Sequence, residues 1–151
     1  VGSEMCIRDR SNAPITRTFE SKKQKGAEVD LSSVFANSVK KAVRTVILDQ
    51  KDHLEVTDRL ETGDKEATVS WIMVTPAEAK ITGKNRMELT KDGQRMLLTV
   101  DADTEVEMKT WSNVPPHEYD FRNPGTIRVG FETVIPANRA AQLKVRLIPL
   151  K

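Results

Sequence analysis

The sequence predicts an all-β domain, an antiparallel β-sandwich or stack of sheets built from about nine short strands. Two observations support this prediction. Apolar residues recur at every second position through most of the chain, which is the spacing of a strand with one buried face. Turn-forming residues separate these segments at short intervals, and no long helical stretch lies between them.

Four strands are expected in the first part of the chain, at residues 15–19, 27–31, 42–48 and 54–60. Gly26 is expected to separate the first two. In the fourth strand Leu54, Val56 and Leu60 fall on one side, because alternate side chains point to opposite faces of a sheet. Each of these segments therefore reads as a half-buried strand.

A helix is the main competing prediction for residues 31–43. The apolar residues of this segment partly satisfy the 3.6-residue period of a helix, and two serines in front of them are suitable caps. We favour a loop followed by a strand, because β-branched residues crowd the end of the segment and suit a pleated surface.

The later strands show the same alternation more clearly. Residues 68–74 are rich in β-branched and aromatic side chains, whereas residues 127–131 and 143–147 alternate apolar with charged positions. Asp92-Gly93 lies between two alternating segments, and Asp-Gly there predicts a type I′ hairpin turn. Residues 62–65 are expected to form the turn between the strands around Leu54 and Val69.

The first ten residues are set apart from the fold. Residues 1–10 match one reading frame of a transposase adapter used to prepare sequencing libraries. On this interpretation the gene is truncated upstream of residue 11, and residues 11–151 are expected to be a β-sandwich domain of a larger protein, its C-terminal one if the resemblance described below holds; the alternative is that residues 1–10 are a natural N-terminal arm. Cys6, the only cysteine, lies in the adapter, so the remaining chain is expected to have no disulfide and no thiolate zinc site.

Charge and hydropathy exclude two classes of partner. The 24 basic and 22 acidic groups give a net charge of +2 and are mixed along the chain. A nucleic-acid-binding protein would show clustered basic residues, so no nucleic-acid partner is expected. No apolar run is long enough to span a bilayer, so no membrane span is expected either.

Few side chains could transfer a proton: His53, His117 and Tyr119. His53 reads as a surface residue in a polar turn. The other two lie in the longest irregular segment, residues 112–125, and long loops in compact domains are often functional. We favour an interpretation in which His117, Tyr119 and Phe121 pin this loop to the edge of the sandwich. The alternative is that the loop contacts a neighbouring domain or a ligand.

Aromatic and acidic residues give three further predictions. Trp71 lies in the middle of an alternating strand and is expected in the core. Trp111 ends a strand beside the loop, and the sequence leaves open whether it packs in the core or stacks on a sugar. Glu105 and Glu107 share one face of a strand, which is expected to face solvent and so does not suit a glycosidase pair.

Several stretches taken together resemble a known family. They are residues 26–35, 39–46, 54–58, 71–77, 109–112, 115–120 and 123–126. In this order they resemble the β region that follows the helical toroid in bacterial heparinase II/III-like polysaccharide lyases. None of the stretches is a catalytic motif; their order and joint occurrence make the resemblance.

The resemblance implies an enzyme that cleaves acidic, uronate-containing polysaccharides by β-elimination. It implies two partners for this chain, the missing N-terminal (α/α) toroid of the same protein and the acidic polysaccharide, and a periplasmic or secreted location. The main proton-transfer residues would come from the toroid, and a structural zinc would lie upstream. We therefore expect no catalytic residue, metal ligand or cofactor here, and name Trp111, His117, Tyr119 and Arg122 as contacts to substrate or toroid.

A second hypothesis comes from a different class of protein. A non-catalytic carbohydrate-binding or adhesion β-sandwich would have the same strand pattern without any toroid. The sequence upstream of residue 11 discriminates between the two hypotheses, because several hundred codons of helical sequence would indicate the lyase.

Overall fold

A computed structural model describes residues 12–151, and the adapter predicted at residues 1–10 lies outside the described part. Eleven strands form the fold: β1 (Ile15–Glu20), β2 (Gln24–Asp30), β3 (Lys41–Asp49), β4 (Leu54–Glu61), β5 (Ala67–Thr75), β6 (Glu78–Gly83), β7 (Arg86–Lys91), β8 (Gln94–Ala102), β9 (Val106–Ser112), β10 (Ile127–Ile135) and β11 (Ala140–Leu150). Among residues 12–151, no helix has the length and apolar character needed to cross a membrane.

The strands form two antiparallel sheets that pack face to face. The large sheet has eight strands in the order β1-β2-β3-β4-β11-β8-β7-β6, and the small sheet has three in the order β5-β10-β9. The predicted all-β sandwich is confirmed, with eleven strands rather than about nine. Strand β6 was not predicted because its sequence, EAKITG, contains charged residues and only two apolar side chains, those of Ala79 and Ile81.

The core lies between the small sheet and the middle of the large sheet. Phe131 in β10 is fully buried, as are Leu98, Leu143 and Val145 from the facing sheet. Trp71 is buried as predicted and stacks on Phe131, with ring centroids 6.1 Å apart. Odd-numbered residues of β5 and β10 face this core, so even-numbered residues face outward.

The prediction for Gly26 was wrong. Gly26 lies inside β2, and the chain reverses at residues 21–23, where Ser21 Oγ accepts hydrogen bonds from the N–H groups of Lys23 and Gln24. A Cβ atom on Gly26 would lie 2.3 Å from the Val46 carbonyl oxygen and 2.6 Å from the Phe19 ring. The glycine is therefore required by close packing within the sheet, not by a turn.

Two other predictions about local structure are confirmed. Asp92 and Gly93 both have positive φ, 51° and 76°, as a type I′ turn between β7 and β8 requires. Residues 31–40 are a loop that leads into β3. This loop contains hydrogen bonds between residues four apart, from Phe35 to Leu31 and from Val39 to Phe35, which explains why its sequence partly fits a helix.

Residues 62–65 separate β4 from β5 as predicted. They do not close an antiparallel hairpin, however, because β4 belongs to the large sheet and β5 to the small sheet. The buried hydroxyl of Thr62 donates a hydrogen bond to the Pro136 carbonyl oxygen (2.6 Å) and accepts one from the Arg139 N–H (3.0 Å). Thr62 thus ties the β4–β5 crossing to the β10–β11 crossing, which runs in the opposite direction between the sheets.

Candidate functional site

The longest irregular segment of the described chain, residues 113–126, connects β9 to β10 in the small sheet. We refer to it as the β9–β10 loop. Its base is closed by hydrogen bonds from Asn113 Nδ2 to Thr126 Oγ1 and from Thr126 Oγ1 to the Asn123 carbonyl oxygen, each 2.7 Å. Arg128 Nε also donates to the Ser112 carbonyl oxygen at 3.0 Å. The ends of the loop are therefore fixed by polar contacts.

The aromatic side chains of the β9–β10 loop do not hold it to the sandwich. Tyr119 is 66% exposed and Phe121 is 86% exposed, and His117 also lies on the surface. The favoured interpretation, that these side chains pin the loop to the sandwich edge, was wrong. The prolines at 115–116 restrict the backbone, and the glycine at 125 turns it locally. The sequence therefore shows that the loop is constrained, but it does not show whether its side chains are buried.

His117 and Tyr119 stack on each other instead. Their ring centroids are 5.1 Å apart and their planes differ by 8°. The imidazole and the phenol therefore form one exposed, stacked aromatic pair on the loop. General acid–base catalysis needs each group within hydrogen-bond reach of a partner proton, and a parallel stack directs the ring faces, rather than the polar atoms, toward each other. The arrangement suits stacking against a ligand or a second protein surface better than proton transfer.

An open pocket of about 490 Å³ lies under the loop. His117, Arg122 and Pro116 are among the residues that line it. Trp111 lies elsewhere, half-buried on the outer face of the small sheet opposite Arg128. The structure thus brings His117 together with Arg122 at the pocket and with Tyr119 in the ring stack, and it leaves Trp111 outside the pocket, near the end of β9.

His53 has a local structural role. Its Nδ1 lies 3.3 Å from Asp49 Oδ2, and its backbone N–H donates to Asp49 Oδ1 at 3.0 Å in the turn between β3 and β4. That backbone hydrogen bond, together with the one from Lys51, lowers the pKa of the Asp49 carboxyl. His53 and His117 occupy different loops, and no three His, Cys, Asp or Glu side chains converge within residues 12–151.

The outer face of the small sheet combines an ion pair with exposed apolar residues. Lys109 Nζ donates a hydrogen bond to the Glu132 carboxylate, which also accepts a hydrogen bond from Ser70 Oγ at 3.2 Å. The Lys109 ammonium lowers the pKa of the Glu132 carboxyl, and Glu132 raises the pKa of Lys109. Glu105 and Glu107 are exposed as expected.

Sequence analysis missed the apolar part of this outer face. Ile72 is 43% exposed and Val74 is 52% exposed, and Val134 on the neighbouring strand is also exposed. The signal was present in β5, where large apolar residues occupy consecutive positions from 71 to 74 and therefore must reach both faces.

Comparison with known proteins gives structural matches only. No protein-family model and no curated protein sequence matches the chain. A crystal structure of heparinase III matches 91% of this chain with a TM-score of 0.68 and 14% sequence identity. A second heparinase III structure matches 93% at 0.65 and 14%, and heparan sulfate lyase HepC from Pedobacter heparinus matches 93% at 0.61 and 15%.

These matches establish that the chain has the fold of a region found in heparinase III and heparan sulfate lyase structures. The chain spans about a fifth of the length of those proteins, between 21% and 22% of each. At this level of identity the likeness concerns the fold, and the residues of the β9–β10 loop must be assigned on their own geometry.

Proposed function

We propose that this chain is the C-terminal β-sandwich of a heparinase II/III-like lyase that cleaves acidic, uronate-containing polysaccharides by β-elimination. The observation that supports this most is the structural match to heparinase III over 91% of the chain but only 21% of the larger protein. Because nearly all of this chain matches a region that makes up only about a fifth of heparinase III, we expect the chain to act as a supporting domain of a larger protein. Its partners are a helical toroid from the same protein and the acidic polysaccharide.

The β9–β10 loop is the part of the sandwich that we assign to these partners. The loop exposes two large apolar side chains, Val114 at 77% and Phe121 at 86%, and exposed apolar residues of this kind are typical of a contact surface. Arg122 lines the pocket beside them. A guanidinium group binds carboxylates and sulfates through paired hydrogen bonds, so Arg122 suits a uronate or sulfated sugar.

The reaction defines what the rest of the protein must supply. β-Elimination needs a group that neutralises the uronate carboxylate, a base that removes the C5 proton and an acid that protonates the leaving oxygen. We assign none of these roles to residues 12–151, because His117 and Tyr119 lie exposed on one loop and stack on each other, and the remaining histidine, His53, lies in a different turn. The toroid supplies them in this proposal. His53 and His117 are too dispersed to begin a zinc site, so a structural zinc would also lie outside this chain.

Expression of the protein from the complete gene tests the proposal. The unsaturated product of β-elimination absorbs ultraviolet light, so release from heparan sulfate, heparin and alginate can be followed directly. The longer protein should form product on at least one of them and should be exported to the periplasm or medium, whereas residues 12–151 alone should form none. Binding of these polymers without product formation would contradict the lyase and favour a carbohydrate-binding module.

A further inference from the structure

The outer face of the large sheet carries two rows of side chains that cross five neighbouring strands. The strand register aligns five residues in the first row: Arg17 of β1, Glu28 of β2, Thr45 of β3, Thr57 of β4 and Lys144 of β11. Residues next to the last three in the chain pack in the core, so this row points away from the small sheet. The first row therefore presents charged groups and hydroxyls at the surface.

The second row lies beside the first and is partly apolar. Its members, again one from each strand, are Phe19, Gly26, Ile47, Glu55 and Arg146. The ring of Phe19 lies over Gly26, in the space that a side chain at this position would fill. The glycine therefore makes room for an aromatic ring on the surface of the sheet. We refer to the two rows together as the outer patch.

Two arginines share the Glu28 carboxylate. Arg17 Nη2 lies 3.3 Å and Arg59 Nη2 lies 3.1 Å from Glu28 Oε2. The side chains of Arg17 and Arg59 are 61% and 52% exposed, whereas that of Glu28 is 20% exposed, so the cations cover the carboxylate. A guanidinium group has five N–H donors. Because both arginines contact Glu28 through Nη2, each keeps donors for a second anion.

Glu55 is shared in the same way. Its Oε1 lies 3.5 Å from Lys144 Nζ, and its Oε2 lies 2.9 Å from Arg146 Nε. The two clusters together contain four cations and two carboxylates. Asp101, opposite Lys144 in β8, reduces this excess without cancelling it. The outer patch is therefore locally basic, although basic and acidic groups nearly balance in the whole chain.

The outer patch lies in a long, open depression. Among residues 12–151, the charged residues that line its central pocket, of about 410 Å³, are Arg17, Arg59, Lys144 and Glu55. A pocket of about 540 Å³ shares Arg59 with the central one, and a pocket of about 360 Å³ shares Glu55 with it. The three pockets therefore join, and they follow the eight residues of β4, a length of roughly 25 Å. A depression of this shape suits an extended polymer.

From this geometry we propose that the depression is a second, non-catalytic binding site for the acidic polysaccharide, separate from the β9–β10 loop. The inference rests on the proposed function for the class of polymer. Guanidinium and ammonium groups bind carboxylates and sulfates, and the hydroxyls of Thr45 and Thr57 suit the hydroxyls of a sugar. Phe19 and Ile47 offer an apolar surface to the C–H groups of a sugar ring. The site would keep a long polymer attached while the catalytic site acts on another part of it.

A protein partner fits the depression less well than a polysaccharide does. The buried centre of a protein interface is depleted in lysine, glutamate and aspartate, whereas charged groups and threonines occupy the centre of this depression. A second copy of the chain would present the same excess of positive charge, which opposes its own approach. A linear acidic polymer matches both the shape and the charge.

Polysaccharide binding by variants of this chain tests the proposal. The unaltered chain should bind at least one of heparan sulfate, heparin and alginate in titration calorimetry. The charge variant, Arg17→Gln with Arg59→Gln and Lys144→Gln, should raise Kd for that polymer about tenfold or more, because it removes the cations of the central pocket. Phe19→Leu leaves every charge in place and should raise Kd about threefold through loss of the aromatic face.

A matched control variant is available on the same face of the large sheet. Lys80, Arg86 and Arg95 are exposed on β6, β7 and β8, outside the three pockets. The control variant, Lys80→Gln with Arg86→Gln and Arg95→Gln, removes the same charge and also breaks an ion pair, between Arg95 and Glu88. It should change Kd by less than about twofold. Thermal melting followed by circular dichroism shows that each variant is folded.

The longer protein gives a second readout, which decides if the chain does not fold alone. There the charge variant should lower kcat/KM for the long polymer by about threefold or more. It should leave kcat/KM for a tetrasaccharide of the same sugars unchanged, because so short a substrate does not reach two sites at once.

Four results would overturn the proposal: no binding of any of the three polymers, unchanged affinity in the charge variant, equal losses of affinity in the charge and control variants, or equal losses of kcat/KM on the polymer and the tetrasaccharide. An active lyase with any of these results refutes this inference alone. A protein that forms no product, but loses polymer binding in the charge variant only, refutes the lyase alone.

Discussion

The two ends of the small sheet are built differently. At the end where Ala67 pairs with Ile135, the chain crosses between sheets through short connections whose polar groups are satisfied by the buried Thr62 hydroxyl. At the other end, where Ile127 pairs with Ser112, the β9–β10 loop exposes Val114, Tyr119 and Phe121. One end is complete within this chain, whereas the other presents the kind of surface that another domain or a ligand covers.

The largest expected effect contrasts two phenylalanines. Phe131 is fully buried between the sheets, and Phe121 is 86% exposed in the β9–β10 loop. Phe131→Ala should lower the free energy of unfolding by about 3–5 kcal/mol through lost burial and a cavity, whereas Phe121→Ala should change it by less than about 0.5 kcal/mol. Urea denaturation of both variants measures the difference, and similar losses would show that the loop packs on the sandwich after all.

The next effect contrasts two threonines. Thr62→Val leaves the shape of a buried side chain nearly unchanged but removes the hydrogen bond that the hydroxyl donates to the Pro136 carbonyl oxygen and the one that it accepts from the Arg139 N–H. We expect it to cost about 1–3 kcal/mol, because these two backbone groups lose their partner. Thr126→Val, at the exposed base of the β9–β10 loop, should cost about 1 kcal/mol or less. A larger loss of unfolding free energy for Thr126→Val than for Thr62→Val would contradict the view that the Thr62 end of the small sheet is the more tightly held.

The smallest effect concerns acid stability on the outer face between the two ends. Because Lys109 lowers the pKa of Glu132, the ionised carboxylate stabilises the fold above its usual pKa, and this contribution is lost as the pH falls through the lowered value. The melting temperature of Glu132→Gln should therefore fall less between about pH 5.5 and about pH 3 than that of the wild type. The exposed Glu105→Gln is the control, and an equal acid response in all three proteins would count against the ion pair.

Much of the fold could be predicted because alternation in the sequence reports directly on burial of one face. Leu143, Val145 and Leu147 alternate with Lys144 and Arg146 and are buried as expected. Gly26 shows the limit of this reasoning, because a glycine in a turn and a glycine beneath Phe19 look the same in one sequence. The assignment of β4 and β5 to different sheets was equally invisible, since the Thr62 contacts join residues more than seventy positions apart.

The candidate site was harder to predict than the fold. The loop with His117, Tyr119 and Arg122 was located by its length and prolines, but the exposure of its aromatic residues was not. A sequence shows that aromatic side chains are present, and only the packing shows whether the same chain covers them.

The most direct test of the central claim, that the β9–β10 loop is a contact surface in a larger lyase, is the double variant His117→Ala with Tyr119→Ala in the longer protein. It should change the free energy of unfolding of residues 12–151 by less than about 0.5 kcal/mol. It should lower kcat/KM on the polysaccharide that the enzyme cleaves by about tenfold or more, which corresponds to about 1.4 kcal/mol of lost contact. Unchanged activity, with or without a loss of stability, would contradict the claim.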